Sequence, residues 1–185
     1  GVAQHIRPIL FGPVTQSVIR LYKQNSMSKS TYITDVKSQL INNGFTAETH
    51  YELFNESIDF LALKTEFMLW RYSIVQVIVA ITSFTRIDLN TLISFSKSCQ
   101  EYAWHAQGFP WVQASLLVPK RESLALPIAI ANEVDSEIVD AIGKSVLIQD
   151  SLLREVSIPI LVDIDKKELH YSHAISQSSK GLPKY

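Results

Sequence analysis

Between Ile58 and Thr82 two apolar runs follow one another. The second, Ile74-Val75-Gln76-Val77-Ile78-Val79-Ala80-Ile81, has one polar side chain in eight. Such an unalternating run suits a strand covered on both faces, and it is expected in the middle of a sheet. The run before it, Ile58 to Phe67, alternates from Ala62 onward. Leu63, Thr65 and Phe67 fall on one face, and Ala62, Lys64 and Glu66 on the other. Trp70-Arg71-Tyr72 makes the connection between the two, and Thr46 to Leu53 reads as a strand ahead of them.

Helical periods flank these strands. Ile33, Val36, Lys37, Leu40 and Ile41 form a stripe after Ser30, the expected N-cap, and Asn42-Asn43-Gly44-Phe45 closes the helix. Gly44 suits the left-handed C′ position there, with Phe45 packed back on Leu40 in a Schellman motif. Asp88 caps a longer helix whose inner face is Leu89, Leu92, Phe95, Cys99, Tyr102, Ala103 and Ala106, ended by Gly108-Phe109-Pro110. Ser115 to Val118, closed by Pro119, and Pro127 to Ala131 read as two strands. Asp135, Glu137 and Asp140 crowd the start of a helix through Ile138, Val139, Ile142 and Val146, where acids complement the helix dipole. Ile158 to Ile164 and Glu168 to Ser172 are strands about an Asp165-Lys166-Lys167 turn.

The order predicted is α-β-β-β-α-β-β-α-β-β, an α+β (mixed αβ) class with a central mixed sheet flanked by helices. The early strands, joined by short connections, should be antiparallel. The unit from Ile128 to Asp163 is β-α-β, so its strands should be parallel. Residues 28 to 173 are expected to form one domain. Residues 1 to 27 are an N-terminal extension in which Pro13 could open a short helix, and residues 174 to 185 are a tail.

Composition adjusts this picture in three ways. Of the 185 residues 46% are hydrophobic and 19% charged, against about 25% charged in an average soluble domain. A covered sheet accounts for the excess, as would an oligomer interface, here a homodimer. The 17 Lys+Arg against 18 Asp+Glu leave a formal charge of −1, and no basic run exceeds Pro119-Lys120-Arg121. The electrostatic footprint of a nucleic-acid binder is missing. Cys99 is the one cysteine, which excludes an internal disulfide and a cysteine-rich zinc site and fits a reducing, cytoplasmic setting. The longest apolar candidate, Phe67 to Ile81, is broken by Arg71 and falls short of the ~20 residues a bilayer needs. The first eight residues lack a signal-peptide pattern.

Candidate chemistry is sparse. No Gly-rich phosphate loop occurs, and no cofactor or metal is implied. His170 and His173 are three apart, a metal spacing on a helix but not on a strand, where they face opposite ways. His50 and His105 stand alone. Asp163, Asp165 and Glu168 could line a cation site, but their charges suit a hairpin turn as well. Cys99, between Phe95 and Tyr102 on an apolar helix face, reads as a packed thiol. Trp70, Arg71 and Tyr72 are the best binding feature, because aromatics beside Arg on a strand connection are interface-like. Trp70 and Tyr72 would otherwise cover the sheet edge, and Trp104 and Trp111 lie elsewhere.

The α-β-β-β-α-β beginning resembles the core order of restriction-endonuclease-like nucleases. That resemblance implies an acid near the start of one strand, for which Asp59 stands, and an acid-x-Lys on the next. The latter falls on Gln76-Val77-Ile78, where Gln replaces the metal-binding carboxylate and Ile the Lys. A second register, Ala62-Leu63-Lys64 beside Glu66, keeps the Lys and loses the acid. Asp59, Lys64, Glu66 and Gln76 are therefore the positions a nuclease relative would use, and the set is broken. Leu117 to Tyr171, with Pro159-Ile160-Leu161-Val162-Asp163 and Glu168-Leu169-His170-Tyr171, is also similar to a family of uncharacterised prokaryotic proteins. The Trp70-Arg71-Tyr72 connection shares in that similarity, which implies a bacterial chain and carries no activity. The reading from sequence is a soluble, non-enzymatic binding or interaction module, with a catalytically inactive nuclease relative as the alternative.

Overall fold

The computed structural model describes residues 28–49, 57–68, 72–106, 120–144, 148–150 and 155–171. Helix α1 is Lys29–Asn42 and is capped by Ser28, whose hydroxyl accepts from the Thr31 N–H, so the expected cap at Ser30 moves back by two residues. Ser30 lies within the first turn, where its carbonyl accepts from the Thr34 hydroxyl. The other end is as the sequence predicts. Phe45 N–H donates to the Leu40 carbonyl and Gly44 N–H to that of Ile41, with Gly44 at φ +82° and the Phe45 ring buried beside Leu40. That is the double hydrogen bond of a Schellman end, and it requires the left-handed residue.

Strand β1 is Thr46–Glu48, shorter than the expected Thr46 to Leu53, of which residues 50–53 lie outside the described residues. Strand β2 is Phe60–Met68 and β3 is Ser73–Ile87. They form an antiparallel hairpin, and β1 pairs antiparallel with β2 only from Leu61 to Leu63. The central strand thus runs past Thr82 to Ile87. Helix α2, Leu89–Ala106, starts at Asp88, whose carboxylate accepts from the Thr91 N–H at 2.7 Å. That bond, the Thr91 hydroxyl and the Asn90 N–H hold the Asp88 carboxyl below its usual range. The helix buries Leu92, Phe95, Cys99, Tyr102 and Ala103, half-buries Leu89, and leaves Ala106 exposed. The inner face therefore ends one turn earlier than its period suggests.

Beyond α2, a single strand, β4, spans Lys120–Val134 and pairs parallel with β3 along its length. The sequence predicts a strand from Pro127 to Ala131, and the structure corrects its bounds to Lys120–Val134; the strand predicted at Ser115 to Val118 lies outside the described residues. Pro127 is tolerated because of where its missing donor falls. The carbonyls of Ala125 and Ala131 accept from Ile158 and Ile164, so odd-numbered residues of β4 turn their backbone groups toward the next strand. That neighbour is interrupted opposite Pro127: β6 (Glu155–Ser157) pairs up to Ala125, and β7 (Ile160–Asp163) begins at Ile128. Between β4 and these strands come α3, Ser136–Lys144, and a short β5, Ile148–Asp150, antiparallel to β6. Strand β8, Glu168–Tyr171, returns antiparallel to β7.

The result is an α+β architecture with an open mixed sheet, ordered β1-β2-β3-β4 and then β6-β5 at one end and β7-β8 at the other. Two cores sandwich it. On one face Tyr32, Val36, Leu40 and Phe45 pack on Phe60, Ala62, odd residues of β3 and even residues of β4. On the other, α2 and α3 bring Leu92, Phe95, Cys99, Ile138 and Ile142 onto Leu61, Ile78, Ala80 and the alanines of β4. Each fully buried Ile, Leu or Phe contributes about 1.5–3 kcal/mol, so a doubly covered β3 is the main source of stability. Among the described residues, no helix is long and apolar enough to cross a membrane.

Candidate functional site

Among the described residues, two of the four exposed large hydrophobics lie together where β2 meets β3; the others, Ile41 and Ile93, stand singly on α1 and α2. Phe67 is 52% and Tyr72 45% exposed, and their rings meet edge to face with centroids 6.1 Å apart. Phe67 pairs with Ile74, and the next row along has Thr65 with Gln76, so Phe67 lies on the α2 face by alternation. Its exposure follows from lengths. The 18 residues of α2 span about 27 Å, and the 15 of β3 about 50 Å. Because α2 starts directly after β3, it covers the far end of the strand and stops short of the hairpin. Tyr72 holds φ +47°, a left-handed backbone that costs an L-residue about 1–2 kcal/mol. Of the sequence-predicted trio, Tyr72 is thus placed beside Phe67 at this end; Trp70 and Arg71 lie outside the described residues, as does Trp111. Phe67 was legible as a strand residue but not as an exposed one.

The four nuclease positions do not converge. Asp59 sits before β2, its N–H donating to the Ile81 carbonyl. Gln76 pairs with Thr65, six residues further on and about 20 Å along the strand. Gln76 faces α2, whereas Lys64 and Glu66 face α1, where they form an ion pair at 2.6 Å. The Lys64 ammonium also lies 5.8 Å from the centre of the Phe45 ring.

Buried polar groups concentrate at the same end of the sheet. Gln76 and Ser123 are neighbours on β3 and β4, and neither the Gln76 Oε1 nor the Ser123 Oγ has a hydrogen-bond partner. On the α1 face are Ser73, fully buried, and Glu122, 1% exposed. The sequence reading missed Glu122 because it began this strand at Pro127, whereas β4 starts at Lys120. Extending the alternation back from Leu126 and Leu124 would have turned Glu122 inward.

The remaining candidates are structural. The Asp163 carboxylate accepts from the Lys166 N–H at 2.9 Å and pairs with the Lys166 ammonium at 3.4 Å, while Asp165 accepts from Asn132. These are the bonds of the β7–β8 turn. His170, on β8, lies 3.6 Å from Glu168, and His105 is exposed on α2; His50 and His173 fall outside the described residues. Cys99 is buried in the core beneath α2. Among the described residues, no group of three or more His, Cys, Asp or Glu is arranged to hold a metal.

The fold and this end of the sheet define an α+β protein with an open mixed sheet and an aromatic hairpin. The chain matches no protein-family model, no curated protein and no solved structure.

Proposed function

We propose that the chain is a non-enzymatic binding module that associates through the β2–β3 hairpin end, and that its partner is a second copy of itself. The observation that carries this reading is the exposed Phe67–Tyr72 pair. Aromatic residues are enriched at interfaces, and closed two-fold dimers are the commonest soluble oligomers. A formal charge of −1 adds little self-repulsion to such a pairing. The left-handed Tyr72 supports it further, since a large side chain retained at a strained position is a pointer to function. A single cysteine, Cys99, in the chain is consistent with a reducing, cytoplasmic setting.

Light scattering at micromolar concentration should give the mass of a dimer, and Phe67→Ser should shift it toward the monomer. A strict monomer mass for the wild-type chain overturns the reading. The alternative, a restriction-endonuclease-like relative, draws on the helix and strand order alone. Because Asp59, Lys64 and Gln76 stand apart, the protein is expected to leave plasmid and linear DNA intact with Mg²⁺ or Mn²⁺. Cleavage that disappears in Asp59→Ala would favour the nuclease instead.

A further inference from the structure

We propose that the outer edge of β2 at the hairpin end is a strand-addition site, and that a second copy of the chain occupies it, β2 against β2 about a two-fold axis at Glu66. This rests on the association argued above and gives it a geometry. Among the described residues, β1 pairs with β2 only from Leu61 to Leu63, and no other strand lies on that side. Helix α1 stops at the same level, its terminal Gly44 lying against the Lys64 side chain. The stretch from Lys64 to Met68 is therefore an open edge, and such an edge is a template for another strand.

The ladder decides which backbone groups face outward. The Ile81 carbonyl accepts from Asp59, just ahead of β2, so odd-numbered residues of β3 turn their backbone groups toward β2. Their partners are the even-numbered residues of β2, from Phe60 to Met68, and antiparallel partners of this kind face each other. The odd-numbered residues of β2 consequently turn outward: Leu61 and Leu63 toward β1, Thr65 and Phe67 toward no described strand. The side chains of Thr65 and Phe67 are exposed as well. With Thr65 opposite the partner's Phe67, the N–H and C=O of each bond to the other, and two-fold symmetry repeats the pair. Every outward group from Lys64 to Met68 on both edges is then satisfied, and the sheet runs through the two copies.

Charge favours a second copy as the occupant. In this register Glu66 meets the partner's Glu66 on the axis, and each lies diagonal to the other copy's Lys64, within reach of a long side chain. Each Glu66 also keeps the Lys64 ammonium of its own copy at 2.6 Å, so two lysines and two glutamates form a neutral group. On the α2 face, Phe67 stands opposite the partner's Thr65, which makes the pairing continuous with the exposed Phe67–Tyr72 contact.

The test is disulfide trapping and a proline substitution in the full chain. Antiparallel partners that are not hydrogen-bonded stand about 4.5 Å apart between Cα atoms, inside the range of about 4.4–6.8 Å that a disulfide spans. Glu66→Cys should therefore give a covalent dimer on mild oxidation. The wild-type chain, whose Cys99 is buried, and the exposed α2 control Ser94→Cys should not. Thr65→Pro removes an N–H that only the partner uses, and proline is tolerated on edge strands. It should weaken dimerisation about tenfold or more with an unchanged circular dichroism spectrum. A wild-type dimer that Thr65→Pro leaves intact, or Glu66→Cys that cross-links no better than Ser94→Cys, overturns strand addition and leaves association through Phe67 and Tyr72 standing. A strict wild-type monomer overturns both.

Discussion

Val79→Asp is expected to unfold the domain, while Val77→Asp, two residues away on the same face, should destabilise it less. Both valines are buried in the α1-side core. Val79 stands between Ala62 and Leu126, with nothing polar across either neighbouring strand, whereas the β2 partner of Val77 is Lys64. A carboxylate at 79 is therefore stranded and costs several kcal/mol. The lost burial of the valine adds about 1.5–3 kcal/mol. Together these consume most or all of a total stability of about 5–15 kcal/mol. A carboxylate at 77 can draw on the ammonium of Lys64, at the expense of its bond to Glu66. Thermal melts followed by circular dichroism separate the two variants. A Val79→Asp protein with the wild-type melting temperature would show that β3 does not organise the core.

How far the architecture was legible depends on how much side-chain pattern each element carries. The run from Ile74 to Ile81 could only be a covered strand, and Gly44-Phe45 could only end a helix in one way. The start of β4 was misread because Pro127 is a strong breaker in isolation. Tolerance of Pro127 depends on the gap between β6 and β7, which no local pattern reveals. Strands β5 and β6, of three residues each, are too short to show any period. The candidate site was legible in part for the same reason. Tyr72 was singled out for its type, but the exposure of Phe67 is a difference between the lengths of α2 and β3. Glu122 was hidden by the misplaced start of β4.

Tyr72→Gly is expected to separate folding from association. At φ +47° glycine is relieved of the roughly 1–2 kcal/mol that the left-handed backbone costs an L-residue. Against that stand about 0.5–1 kcal/mol from the freer unfolded chain and about 0.5–1.5 kcal/mol for the edge-to-face contact with Phe67. These terms nearly cancel, so the melting temperature should move by only a few degrees. Association should respond very differently. Removing an aromatic anchor from an interface costs about 2 kcal/mol or more, which is roughly a thirtyfold loss of affinity. The dimer should then dissociate at concentrations where the wild-type chain remains paired. Sedimentation equilibrium on the two proteins, alongside their melts, gives both quantities. An unchanged affinity would remove Tyr72 from the contact, and a collapse of the melting temperature would mean that its ring serves the fold rather than the partner.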